Sequence, residues 1–281
     1  MNRQSARRSR IVGEQHYDIG NDIYRAMLDS TMSYSCGYWA EADNLEEAQQ
    51  VKLDLICRKL QLRAGETLLD IGCGWGGLAA FAAENYDVRV TGITISREQQ
   101  ALARERVRGL PVDIELADYR QLRGRFDKVV SVGMFEHVGQ KNHVCFFRKV
   151  RKLMDPAGLF LLHTIGEPET TRGDEPWLDK YIFPNGKLPS ARRIVSAHEG
   201  LFTLQDWHNF GPDYDHTLMA WWRNFDSAWP TLRGTNYDER FYRMWRYYLQ
   251  SCAGFFRSGR GQLWQIVLSG DDWRGAYRSV R

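Results

Sequence analysis

Short apolar runs separated by polar, helix-compatible segments fill the middle of the chain. TLLDIG (67–72), VRVTGITI (88–95), VDIELAD (112–118), FDKVVSVGMF (126–135) and GLFLLHTI (158–165) each have the length and side-chain content of a strand, and helical segments separate most of them. This alternation predicts an α/β fold with a doubly wound, mainly parallel sheet. LFTLQDWHNF (201–210) and QLWQIVLSG (262–270) complete a set of seven strands. Ahead of them, Asn44 followed by LEEAQQVKLDLICRKL reads as a capped amphipathic helix, with Leu45, Ala48, Leu55 and Cys57 among its less polar positions. A helical insertion is expected over about 212–260, before the last strand. Within it, Tyr237, Phe241, Trp245, Tyr248, Cys252 and Phe255 recur at steps of three and four, one face of a helix. That stripe has two readings: core packing, or an aromatic wall around a long apolar substrate.

Composition narrows the class. With 281 residues, 43% hydrophobic and 26% charged, the chain can bury a substantial core. No apolar run reaches the roughly 18 residues of a membrane-spanning helix and no signal-peptide core follows the N-terminus, so a soluble, cytoplasmic protein is expected. The five cysteines stand singly, without C-x-x-C spacing, which argues against a metal cluster and against a disulfide framework. A net charge of +3 does not point to nucleic acid. The charge is uneven, however: residues 1–10 hold four arginines and no acid. Such a tail is either frayed and solvated or drawn to anionic lipid headgroups by about 1 kcal/mol per charge. No repeat or linker divides the rest, so one catalytic unit is expected over 11–281. Ten tryptophans, many between Trp207 and Trp264, exceed what stability alone requires.

DIGCGWGG (70–77) follows the first strand, where glycines let the backbone turn sharply and approach a ligand at a helix N-terminus. Gly72, Gly74 and Gly77 satisfy G-x-G-x-x-G, which also brings a nicotinamide or flavin dinucleotide into view. Asp70 would repel a pyrophosphate and suits a ligand bearing an ammonium and a sulfonium, as S-adenosylmethionine (SAM) does. The run resembles the first motif of seven-stranded, Rossmann-like class I SAM-dependent methyltransferases. The second strand ends at Thr94, where a dinucleotide fold usually offers an acid. Ser96 and Gln99 form an S-x-x-Q capping box, and Gln99 either caps the next helix or reaches a ribose. Asp118, Tyr119 and Arg120 stand either at an adenine edge or at a plain polar strand exit.

Six further stretches carry a narrower resemblance: HYDIGND (16–22), YSCGYW (34–39), GMFEHVG (133–139), LLHTIG (161–166), KYIFPNG (180–186) and NFGPDYDHTLMAW (209–221). Together they resemble bacterial cyclopropane fatty acyl phospholipid synthases and, less closely, mycolic acid cyclopropane synthases, from about Ile11 to about Gly270. The resemblance implies transfer of the SAM methyl to a cis double bond of a phospholipid acyl chain, then ring closure on loss of a proton to a bound bicarbonate. It implies that Glu136, His163 and Tyr214 hold that ion by side chains, with backbone N–H groups of Cys36 and Ile165. For SAM it implies Tyr34 and Ser35; Leu68, Leu69, Asp70, Ile71, Gly72, Cys73, Gly74, Trp75 and Gly76; Thr94, Ile95, Ser96, Arg97, Glu98 and Gln99; and Tyr119 with Arg120. Cys252 matches a cysteine proposed as catalytic in the family. Methyl transfer to an alkene needs no thiol, so it is kept only as a subsidiary candidate beside a packing role. His137, next to Glu136, is expected to face elsewhere, as neighbours do at a strand exit.

The implied partners are phospholipid acyl chains at a membrane surface, reached transiently from the cytoplasmic side, with a homodimer left open. The bacterial phospholipid enzymes carry an additional N-terminal domain, whereas this sequence starts almost at the catalytic motifs. It reads equally as a short homologue or as an excised catalytic domain. Two other functions stay in view. One is a related transferase that forms a methyl branch, acts on mycolic acids or methylates an amine; an amine acceptor would not need the Glu136, His163 and Tyr214 set. The other is a non-catalytic lipid- or SAM-binding module, against which the intact glycine loop argues.

Overall fold

The computed structural model describes residues 20–171 and 175–281. The basic tail over 1–10 and the start of HYDIGND lie outside the described residues. Strands β1 (Thr67–Ile71), β2 (Arg89–Thr94), β3 (Val112–Leu116), β4 (Phe126–Val132), β5 (Met154–Gly166), β6 (Thr203–Asn209) and β7 (Gln262–Ser269) form one seven-stranded sheet. Their spatial order is β3-β2-β1-β4-β5-β7-β6. The pairs among β1 to β5 are parallel, and β7 runs antiparallel between β5 and β6. The predicted strands are all present, with shifted ends. β5 begins at Met154 rather than Gly158 because Met154 pairs with Phe126 across a register shift in β4. β3 and β4 stop early, at Leu116 and Val132, which releases Ala117–Arg120 and Gly133–His137 into a loop and a 3-10 turn.

Helix α1 (Asn21–Met27) precedes α2 (Leu45–Lys59), whose Asn44 side chain accepts from Glu47 N–H at 3.0 Å, the expected cap. Helices α3 (Gly77–Tyr86), α4 (Arg97–Arg106) and α5 (His143–Leu153) connect the parallel strands. Helices α6 (Pro176–Tyr181) and α7 (Ala191–His198) follow β5, and α8 (Pro212–Leu232) with α9 (Glu239–Arg257) make up the insertion before β7. Alternation along β1 sends Leu68 to the core on one sheet face and Leu69 to the core on the other. A third core unites α1, α8 and α9 around Trp221, Phe225 and Trp245, all fully buried. Among the described residues no helix is long and apolar enough to cross a membrane.

The strand order reverses at β1, between β2 on one side and β4 on the other. In an open parallel sheet, the crevice beyond the carboxyl ends at such a switch is where ligands bind.

Candidate functional site

Two adjoining cavities occupy that crevice. Walls of the first come from the ends of β1, β2, β3 and β4, from α2 and from the loop at 32–35. The glycine loop supplies its floor. Gly72 has a positive φ of 91°, and a Cβ there would lie 2.9 Å from the Met134 side chain. At Gly77, the first residue of α3, a Cβ would lie 2.5 Å from the Thr31 carbonyl oxygen, so only glycine lets this helix start so close to the neighbouring chain.

Asp70, at the end of β1, is 2% exposed, and burial pushes its carboxyl up to about 7, partly offset by Lys52. Lys52 projects from α2 into the same cavity wall and is also buried; burial brings its ammonium down to about 8. Its Nζ donates to Ser35 Oγ at 3.2 Å, while Gln49 Nε2 donates to the Ser35 carbonyl at 2.8 Å. Sequence reasoning missed Lys52. The signal was present, since Lys52 falls in helical register with Leu45, Ala48 and Leu55 and therefore had to face inward.

At the next strand end, Thr94 Oγ1 donates to Gln99 Oε1 at 2.8 Å and accepts from Ser96 N–H at 3.1 Å. Ser96 Oγ accepts from Gln99 N–H at 3.3 Å. Only half of the capping box forms, because the Gln99 side chain bonds to Thr94 and faces the cavity instead of returning to the Ser96 backbone. Arg120 holds Asp118 through both carboxylate oxygens, at 2.8 and 2.7 Å, and its guanidinium lies 5.3 Å from the Tyr119 ring centroid.

Of the residues expected at SAM, Tyr34, Ser35, Asp70, Ile71, Gly72, Cys73, Gly74, Trp75, Thr94, Ile95, Gln99, Tyr119 and Arg120 line this cavity. The other six do not. Leu68 and Leu69 are strand residues committed to the two sheet cores. Gly76 is turned toward Ala103 of α4, Ser96 serves as a helix cap, and Arg97 and Glu98 are exposed on the first turn of α4.

The second cavity adjoins the first at Tyr34, Gly133 and His137, which line both. Glu136, Ile165, Phe183, Tyr214, Tyr248 and Phe256 are among its walls. Glu136 sits in the 3-10 turn Phe135–His137 just beyond β4. Its Oε1 accepts from Ile165 N–H at 2.7 Å, and its Oε2 is buried with no hydrogen-bond partner among the described residues. Burial raises this carboxyl to about 7, with the Ile165 N–H pulling the other way. Tyr214, on the first turn of α8, rests against Phe256 with ring centroids 4.5 Å apart.

His163 and Cys36 are buried and are not among the residues that line the two cavities. His163 lies within β5, opposite Gln265 of β7, whose Nε2 donates to His163 Nδ1 at 3.3 Å. His163 Nε2 is buried without a partner among the described residues. Burial lowers the His163 pKa far enough to keep the ring neutral. The Cys36 segment is tied to α8 by Gly37 N–H, which donates to Thr217 Oγ1 at 3.0 Å, one turn along from Tyr214. The Ile165 N–H is already engaged by Glu136.

His137 does not face elsewhere. In a 3-10 turn successive side chains step by about a third of a revolution instead of alternating, so Glu136 and His137 both reach the second cavity. Burial holds the His137 ring down to about 4, hence neutral. The aromatic stripe of α9 is divided between its two readings. Tyr237 and Trp245 belong to the core, whereas Tyr248, Cys252 and Phe255 line the cavity. The Cys252 thiol is pushed up to about 12 by burial, which keeps it protonated and a poor nucleophile. All five cysteines are free, and no group of residues fit to hold a metal occurs among the described residues.

The family model for mycolic acid cyclopropane synthetase matches residues 4–266. The chain belongs to the cyclopropane synthase family. It is thereby a SAM-dependent methyltransferase. The cyclopropane-fatty-acyl-phospholipid synthase of Escherichia coli (strain K12) is 58% identical over 280 residues, covering 100% of this chain and 72% of that protein. The cyclopropane synthase MmaA2 from Mycobacterium tuberculosis has a TM-score of 0.87 at 33% identity, covering 92% of this chain and 97% of that one. The mycolic acid cyclopropane synthase CmaA1, solved in complex with SAH and CTAB, gives the same TM-score of 0.87 at 32% identity over 92% of this chain and 97% of that one. These family members share the seven-stranded α/β methyltransferase fold.

Proposed function

We propose that this cyclopropane synthase family member transfers the SAM methyl to a cis double bond of a phospholipid acyl chain and then closes a cyclopropane ring. The observation that carries this reading is the junction of two unlike cavities at Tyr34, Gly133 and His137. One has the glycine loop and Asp70 for the cofactor, and the other has aromatic walls and a buried, half-satisfied carboxylate. The E. coli relative is named for the same reaction on fatty acyl phospholipids, and the CmaA1 structure holds SAH together with CTAB.

An alkene is a poor nucleophile, so orientation against the sulfonium and exclusion of water are the main things the chain can contribute. Asp70 is assigned to the ammonium of SAM, and Thr94, Gln99, Tyr119 and Arg120 to its nucleoside end. Tyr34 and Tyr248, whose hydroxyls lie 2.8 Å apart, and Phe256 offer ring faces to the cation left after transfer, each worth about 0.5–2 kcal/mol. The residues fit a small oxyanion near Glu136. Glu136 Oε2 and His163 Nε2 are both buried and without a partner among the described residues, and a carboxyl with a pKa of about 7 is available in protonated form to share a proton with an anion. We therefore assign Glu136 and Tyr214 to hold bicarbonate, with His163 behind them and the Ile165 N–H fixing Glu136. When bound, bicarbonate supplies the base for ring closure. The acyl chains are taken from a membrane surface.

The test is incubation with vesicles of unsaturated phospholipid and methyl-labelled SAM, followed by mass spectrometry of the acyl chains. A gain of one methylene with loss of the olefin is expected. Label confined to amines, or a methyl branch with no ring, would replace this reading with another transferase activity.

A further inference from the structure

Helix α9 presents two unlike faces. Tyr248, Cys252 and Phe255 line the second cavity, whereas Arg240, Arg243, Arg246 and Tyr247 are exposed. The exposed set follows helical spacing along one stripe. Glu239 is the single acid of this helix and pairs with Arg233, and Arg257 pairs with Asp215. Among the described residues, no carboxylate lies within ion-pair distance of Arg240, Arg243 or Arg246. Beside this basic stripe stands a cluster of partly open rings. Tyr247 is 53% exposed, and Trp177 of α6 meets it edge-on with centroids 4.5 Å apart. Tyr181 is 36% exposed, with Lys180 Nζ 4.9 Å from its ring centroid. Leu178, from the same short helix, turns the other way and lines the second cavity.

In water Arg240 is held by Tyr181, and Arg246 by Gln250 and the Trp222 ring, while no carboxylate among the described residues neutralises the stripe. At the headgroup level of a bilayer the combination is favourable, because amphipathic rings settle at the interface and cations meet anionic phosphates. We propose that the exposed face of α9, with α6, docks onto anionic phospholipid headgroups. Docking there brings α6 and the cavity behind it against the acyl chains. The inference rests on the acyl-chain reading of that cavity, and it assigns the membrane contact to this face instead of the basic tail over 1–10.

The test is sedimentation of the full chain with saturated vesicles of phosphatidylglycerol and phosphatidylcholine, which offer no double bond, so docking is read without turnover. The triple variant Arg240→Gln, Arg243→Gln, Arg246→Gln should partition about 100-fold less, from roughly a factor of five per charge. Tyr247→Ser should weaken binding several-fold. Replacing Arg3, Arg7, Arg8 and Arg10 by Gln should leave most of it. Unchanged melting and SAH binding establish that the variants are folded. A triple variant that sediments like the parent, or loss of binding in the tail variant alone, would overturn the proposal. So would binding to heparin without binding to vesicles, which would mark a polyanion site. Methylation of a detergent-dispersed, short-chain unsaturated phospholipid separates the two claims: the triple variant should match the parent there. A parent that docks but methylates nothing would refute the acyl-chain reading and leave the docking face supported.

Discussion

The two cavities meet at three residues yet are built in contrasting ways. The first is assembled from short continuous segments at strand ends, and its polar groups largely satisfy one another: Lys52 with Ser35, Thr94 with Gln99, Asp118 with Arg120. The second gathers residues from distant parts of the chain, among them Glu136 after β4, Ile165 at the end of β5, and Tyr214 and Tyr248 from the insertion. Among the described residues it leaves Glu136 Oε2 without a partner, as β5 leaves His163 Nε2. An unsatisfied buried polar group costs about 1–3 kcal/mol. The lesson is that the cofactor side is preorganised by backbone geometry, while the side assigned to proton removal retains an unfavourable arrangement that a bound anion would relieve.

The sharpest way to break this contrast is through stability. Burial lifts the Glu136 pKa to about 7 from an ordinary 4.5. A raised carboxyl pKa means that its contribution to stability is fully present below pH 4.5 and is lost as pH rises through 7. Glu136→Gln retains an acceptor for the Ile165 N–H and cannot ionise. At pH 8 it should therefore be more stable than the parent by roughly 3 kcal/mol, with the gap closing near pH 4.5. Thermal melts across that range check this. A gap that grows toward acid would mean that Glu136 is stabilised as the carboxylate.

On the cofactor side, Asp70→Asn should weaken SAH binding by about 100-fold, as expected when one member of a desolvated charge pair is removed. Calorimetry reads it directly, and a loss below threefold would remove Asp70 from the ammonium. Lys52→Met should cost about tenfold in the same titration, because the loop carrying Tyr34 and Ser35 loses its Lys52 tether to α2 and keeps those from Gln49. Retention of full affinity would make Lys52 a purely structural lysine. The smallest effect is expected at Cys252. Cys252→Ala should change turnover by less than about twofold, since a thiol held near 12 is not a nucleophile at neutral pH. A much larger loss, with vesicle binding intact, would restore a chemical role to it.

The same contrast governs what was legible in the sequence. The seven strands and the capped α2 follow from local pattern, and the glycine loop announces the first cavity because its residues are consecutive. Lys52 was readable from helical register but is overlooked when attention rests on the glycines. The second cavity depends on tertiary placement. His137 escaped because the chain leaves β4 as a 3-10 turn, a local choice that the apolar run SVGMFEHVG conceals. His163 and Cys36 carry the right chemistry, and strand pairing with β7 and the contact with α8 bury them, a placement that local pattern does not announce. The run Thr94–Gln99 shows the reverse error. Its sequence continuity implies a continuous binding strip, but the turn into α4 sends Arg97 and Glu98 to solvent.

Two separately built cavities imply that cofactor binding and proton removal can be uncoupled. Turnover on unsaturated phospholipid and the SAH dissociation constant, measured on one preparation of Glu136→Gln, decide this most directly. Turnover should fall by about 100-fold or more, the ordinary contribution of a positioned proton-transfer group, while the dissociation constant stays within about twofold of the parent's. An equal loss of both would contradict this separation and place Glu136 in the cofactor site or the fold.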